Sequence, residues 1–291
     1  MIKESFAALG ASTRDLFRNW RGLLLLAALY GLVLASVYFF FASGVNTGGL
    51  VVTALTLLGL PLFFLFQAVA VNAALPEATA ARMARRAPRD LLKVLLLAVP
   101  VAVCAVLFVY LLFKLQGWLP KVDEAPHVAT VSGVSGERPV PLRWQDALVS
   151  SSWLVLLGFV LPLAAAHLWL SAARVGLTAT LKGFHRVLGR AFAPRSVLVY
   201  AVGFFLFGLM PYFVLFTRTA FTNGWTELTV FGVRLAFVFV LTLVGWVVTL
   251  GALARVTPPE EGTPVASEPA PAEPPAPGPV TETAAEPQLQ A

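Results

Sequence analysis

His127, His167 and His185 are the three histidines of this chain, and a metal centre or a neutral-pH proton relay would have to be built around them. They fall on different sides or depths of the apolar segments that carry them, without metal-ligand spacing. Cys104 stands alone within an apolar run, so neither a disulfide framework nor a thiolate cluster is expected. Ser150, Ser151 and Ser152 open an apolar segment in which His167 follows some fifteen residues later, about 22 Å along a helix, too far for a serine nucleophile and its base. The run SGVSG offers glycines to a phosphate but has neither the lysine nor the strand-to-helix context of a phosphate loop. Ion-driven transport needs ionisable groups at membrane depth, and none of the 15 acids falls inside an apolar run. His167 is the one titratable residue at depth, and Arg174 places it near the cytoplasmic interface, where it reads as a packed or hydrated side chain. Gln67 and Asn72 read as hydrogen-bonding groups between helices. No catalytic, cofactor-binding or metal-ligating residue is assigned, and the chain reads as non-enzymatic.

The elements that hold these residues follow from composition. With 58% hydrophobic and 12% charged residues, the chain belongs to lipid. Residues 172–195 organise it. On a helix of about 100° per residue, Leu177, Leu181, Phe184, Leu188 and Phe192 share one stripe, with Lys182, Arg186 and Arg190 opposite. This spacing predicts a basic amphipathic helix at a membrane surface, because long uncharged runs border it on both sides. Residues 1–22 form a second such segment, with Phe6, Leu9, Leu16 and Phe17 against Lys3, Arg14, Arg18 and Arg21.

Six apolar runs, 22–41, 50–75, 94–113, 147–170, 196–216 and 231–254, predict six crossings in an all-α transmembrane bundle spanning residues 1–255. The run 22–41 is too long, and lacks the small-residue cleavage context, for a signal peptide. Arg82, Arg85, Arg86 and Arg89 put the loop after the second run on the side of the N-terminus, and Lys93 and Lys114 bracket the third run with stems that can snorkel. Positive-inside bias makes both termini cytoplasmic and the Pro/Gly-rich loop 116–146 external, with a small hairpin turning at 132–137. The body carries 21 bases against nine acids, a net +12, and residues 256–291 carry six acids, ten prolines and no base. Such a tail is expected to be disordered. The positive charge flanks apolar runs, which favours membrane over nucleic acid.

Leu60-Pro61-Leu62 recurs as Leu161-Pro162-Leu163, and Ala87-Pro88-Arg89-Asp90 recurs as Ala193-Pro194-Arg195-Ser196. With the N-terminal segment ending at Arg21, these matches predict three repeats of a basic amphipathic segment followed by a transmembrane hairpin. AARVG at 172–176, in a cytoplasmic loop, resembles the coupling-loop motif of ATP-binding-cassette permeases, which begins Glu-Ala-Ala and ends Leu-Pro. Here Ser171 stands at the glutamate position, the glycine comes one residue early, and Leu-Pro is missing near Val187 and Leu188. The resemblance implies a permease-type transporter subunit, the alternative to the first reading. That first reading is a multi-pass protein of a cell membrane, bacterial by its Ala, Leu and Pro usage. Its candidate contacts to anionic lipid, a protein partner or a second copy are Arg174, Lys182, Arg186, Arg190, Arg195, Arg82, Arg85, Arg86 and Arg89.

Overall fold

A computed structural model describes residues 2–42, 48–76, 78–118, 144–217 and 223–257, and these residues are helical throughout apart from short turns. The predicted hairpin, most of the external loop and the tail beyond Thr257 lie outside the described residues. Helix α1 (Ile2–Arg18) leads directly into α2 (Trp20–Ala42). Asn19 separates them: its Oδ1 accepts the Gly22 N–H at 3.2 Å, satisfying a donor of the first turn of α2, while its Nδ2 donates to the Ala78 carbonyl at 2.8 Å. Helix α3 (Gly48–Ala73) packs along α2, and α4 (Ala80–Trp118) packs on α3.

The arginine segment after α3 is not a loop. It is the first turns of α4, which run without interruption through Pro88 into the apolar stretch. Pro88 and Ala84, whose carbonyl the missing N–H would have met, are both exposed, so water can take the unpaired acceptor. Of the buried positions of α4, Met83, Ala87, Asp90, Val94 and Leu97 alternate by four and three and form one continuous seam, and Leu112 is buried further along.

The next long helical passage comprises α5 (Trp144–Trp153), a π-helical stretch (Leu154–Val160) and α6 (Leu161–Val175). A similar passage comprises α9 (Pro194–Phe204), a π-helical stretch (Phe205–Leu209) and α10 (Met210–Phe216). Each π stretch ends just ahead of a proline, Pro162 or Pro211, at the second position of the following helix. Proline cannot donate to the carbonyl four residues back and crowds it, and widening to i→i−5 bonds relieves both. Leu161 N–H duly reaches Leu156 O, and Met210 N–H reaches Phe205 O. The Gly158 carbonyl, which Pro162 cannot serve, accepts from Tyr200 Oη at 3.3 Å. The repeated Leu-Pro-Leu tripeptides therefore differ in backbone, since Pro61 sits inside an uninterrupted α3.

Between these passages, Gly176 adopts φ 89°, a left-handed conformation open to glycine, and ends α6. Helices α7 (Leu177–Lys182) and α8 (Phe184–Ala191) follow, separated at Gly183. The single helix expected over 172–195 is thus broken three times, at Gly176, at Gly183 and at Phe192–Ala193 ahead of α9. The chain closes with α11 (Gly224–Val256), packed against α1, α9 and α10.

Among the described residues, five helical segments are long and apolar enough to cross a membrane: Trp20–Phe41, Ala80–Trp118, Ala147–Val175, Pro194–Phe216 and Gly224–Val256. Leu57–Ala73 within α3 is a shorter apolar helix among the residues whose side chains are described. About 20 residues suffice for a 30 Å hydrocarbon layer, so this is the architecture of a membrane-embedded protein. The core lies toward one end, where residues 66–71, 161–172 and 243–254 are largely buried. That end also carries α1, α7, α8 and most of the bases. Toward the other end, Val37 to Phe41, Val103 to Phe113 and Leu228 to Val240 offer large exposed apolar side chains.

Candidate functional site

Two groups of residues at the basic end can interact with something beyond the fold, the surface of α1, α7 and α8 and a buried polar layer beneath it. In α1, Ser5, Leu9, Ser12 and Leu16 are buried, forming a seam at spacings of four and three. Ser12 Oγ donates to the Val248 carbonyl at 3.0 Å, and Gly251 lies so near that a Cβ there would meet Ser12 Oγ at 2.1 Å. Small residues on both sides let α1 and α11 approach closely. The Arg195–Glu4 pair at 3.3 Å ties α9 to α1, and Arg255 pairs with Asp15. Half of the predicted apolar stripe of α1 faces outward instead: Phe6 and Phe17 are exposed along with Ile2, beside Lys3, Arg14 and Arg18.

The stripe on α7 and α8 is corrected in the same way. Thr180, Val187 and Ala191 are buried against the protein, Leu177 of the predicted stripe packs against the core, and Leu188 is half-buried. Leu181, Phe184 and Phe192 remain 51%, 37% and 45% exposed, next to exposed Lys182, Arg186 and Arg190. Thr180 holds α7 in place, donating to the Gly176 carbonyl at 2.9 Å and meeting Ser171 Oγ at 3.1 Å.

The nine basic residues named from the sequence fall on four helices and the start of a fifth. Arg82 is half-buried and Arg85, Arg86 and Arg89 are exposed on the first turns of α4. Lys182 lies at the end of α7, Arg186 and Arg190 lie on α8, and Arg195 opens α9, where Glu4 meets it. Arg174 has a different occupation. Its Nη1 donates to the Thr257 carbonyl at 2.6 Å and its Nη2 to the Ala254 carbonyl, so it closes the last turn of α11.

Beneath this surface lies a polar layer in which Asn72 and Gln67 hydrogen-bond between helices, as the sequence suggested, together with Asp90, which the sequence did not reveal. Asp90 is 6% exposed; its Oδ2 accepts from Asn72 Nδ2 at 2.8 Å and its Oδ1 from Lys93 Nζ at 2.7 Å. The seam of α4 thus contains a carboxylate, shared between α3 and α4. Gln67 accepts from Trp246 Nε1 at 2.9 Å, joining α3 to α11. His167 is buried, the packed one of the two alternatives its position offered, and its Nε2, like Trp169 Nε1, has no hydrogen-bond partner among the described residues. Nearby, Phe159, Tyr200, Phe204 and Phe207 form a chain of mostly edge-on rings joining the two π stretches, which continues to Trp246. Among the described residues no three metal-ligating side chains converge. The chain matches no protein-family model, no curated protein and no solved structure.

Proposed function

We propose that this chain is a non-enzymatic, six-crossing integral membrane protein whose basic cytoplasmic helices, α1 and α7–α8, lie in the surface of an anionic membrane. The observation that carries this reading is that Leu181, Phe184 and Phe192 stay exposed beside Lys182, Arg186 and Arg190. An interfacial helix needs an apolar face for the acyl boundary and a basic face for headgroups, and here Leu181, Phe184 and Phe192 are exposed beside exposed Lys182 and Arg186. Helix α1 repeats the arrangement with Ile2, Phe6 and Phe17. On this reading α3 is the sixth crossing, with 26 residues of helix, and α2–α3, α4–α6 and α9/α10–α11 are three hairpins, each pair being in contact. Each basic residue near an anionic surface contributes on the order of 1 kcal/mol.

The test uses the full chain with Cys104→Ser and Leu181→Cys, carrying a fluorophore, in nanodiscs of zwitterionic lipid with or without phosphatidylglycerol. Lipids brominated high on the acyl chain are expected to quench the label, more strongly with phosphatidylglycerol, and changing Lys182, Arg186 and Arg190 to Gln should remove that increment. A label beyond the reach of brominated lipid in both nanodiscs sinks the reading. The permease reading rests on the form of residues 176–191, two short helices set between two membrane-length segments. Its test is stoichiometric co-purification of an ATPase in mild detergent.

A further inference from the structure

We propose that, where anionic lipid is lacking, the basic face of α7 and α8 is covered by the start of this chain's own acidic segment 258–291, with Glu260 and Glu261 against Lys182 and Arg186. The starting point is where α11 ends. Arg174, two residues before Gly176, grips the Ala254 and Thr257 carbonyls, so the chain leaves α11 at the root of α7. Glu260 and Glu261 follow Thr257 by three and four residues, roughly 10 to 14 Å of extended chain. Helix α7, with six residues, is roughly 9 Å long and ends at Lys182. The first two acids of the segment therefore reach the first exposed bases beyond Arg174.

Charge complementarity selects this occupant: residues 258–291 contain six acids and no base, whereas α7 and α8 contain three bases and no acid. Tethering raises the local concentration of the acids to the order of millimolar. Screening over about 8 Å at physiological salt confines their attraction to close contact. Lipid phosphate and the Glu260–Glu261 carboxylates then compete for the same cations. The competition rests on the lipid reading of α7–α8; the docking does not.

The experiment uses the full chain with Cys104→Ser, Ala179→Cys and Thr263→Cys and a short bifunctional thiol reagent, with the linked peptides read by mass spectrometry. Ala179 is exposed on α7, and Thr263 lies two residues past Glu261. In detergent an intramolecular cross-link is expected, falling several-fold in Glu260→Gln/Glu261→Gln, in Lys182→Gln/Arg186→Gln and at high salt. Phosphatidylglycerol in nanodiscs should lower it likewise. A yield that is the same in all charge variants would reflect tethering alone and overturn the docking. A charge-dependent yield indifferent to phosphatidylglycerol upholds the docking and overturns the lipid reading.

Discussion

Arg174 shows how a residue type that reads as surface charge can act as a fastener. Two carbonyls of the last turn of α11 lack helical donors, and one planar guanidinium meets both. Lysine carries its three donors on one nitrogen and cannot match two separated carbonyls as the planar fork does. Arg174→Lys is therefore expected to fray the turn from Leu253 to Thr257 almost as much as Arg174→Ala, with faster amide exchange there and a loss of about 1 to 2 kcal/mol. Protection equal to wild type in the lysine variant would show that one bond suffices. Asp90 poses the opposite problem, a charge where the seam calls for an apolar side chain. Asn72→Leu removes one donor to a buried carboxylate and should cost about 1 to 2 kcal/mol. Adding Asp90→Leu should return much of that, since Lys93 is partly exposed and can be solvated. Denaturant unfolding in detergent measures the cycle, and additive losses would mean that the two residues act independently. Asp90 escaped the sequence reading because Arg89 and Lys93 surround it with interfacial charge, and nothing local distinguishes the one position of that run that faces inward.

At the scale of elements, the apolar runs and the arginine-rich segments were legible because membrane thickness demands length and charge marks the ends. Breaks and continuities were not. Gly176 and Gly183 lie within a sound 3.6-residue pattern, and only the backbone shows that the first of them turns left-handed. Conversely Pro88 reads as a helix stop yet sits on an exposed face where its unpaired carbonyl costs little. The stripe over α7 and α8 turns only partly inward: Leu177 packs on the core and Val187 and Ala191 line the protein side of α8, while the larger Leu181, Phe184 and Phe192 face away. The π stretch before Pro162 makes a specific expectation possible. Tyr200→Phe should cost about 1 kcal/mol in the wild-type chain, where its hydroxyl serves Gly158 O, and close to nothing beside Pro162→Ala, which restores the missing N–H. An unchanged cost in that background would detach Tyr200 from the proline. For α1, Gly251→Ala forces a Cβ onto Ser12 Oγ and should lift the helix from α11; Ser12→Gly should restore the contact. Protease sensitivity at residues 14–21, high in the single variant and low in the double, reports this directly.

Most of the bases among the described residues gather at the packed end, and the proposed orientation makes that end cytoplasmic. With Cys104→Ser, Ser135→Cys is expected to react with an impermeant thiol reagent in intact cells, and Thr263→Cys only after permeabilisation; the reverse pattern inverts the topology. What the sequence could not convey is the uneven distribution of packing along the crossings. Every apolar run looks equally hydrophobic, whether its neighbour is Leu250, which is fully buried, or Val233, which is 65% exposed. That unevenness bears on how the protein meets bilayers of different thickness. A thinner or thicker membrane must be met by tilting helices, at a cost that grows with the ångströms of mismatch. On the proposed topology the parts of α2, α4 and α11 that carry exposed apolar side chains would take up the tilt, while the Asp90–Asn72 and Gln67–Trp246 bonds lie in the packed part. On that topology the bundle would behave like a shuttlecock, with one leaflet gripping it at constant width and the other setting its splay.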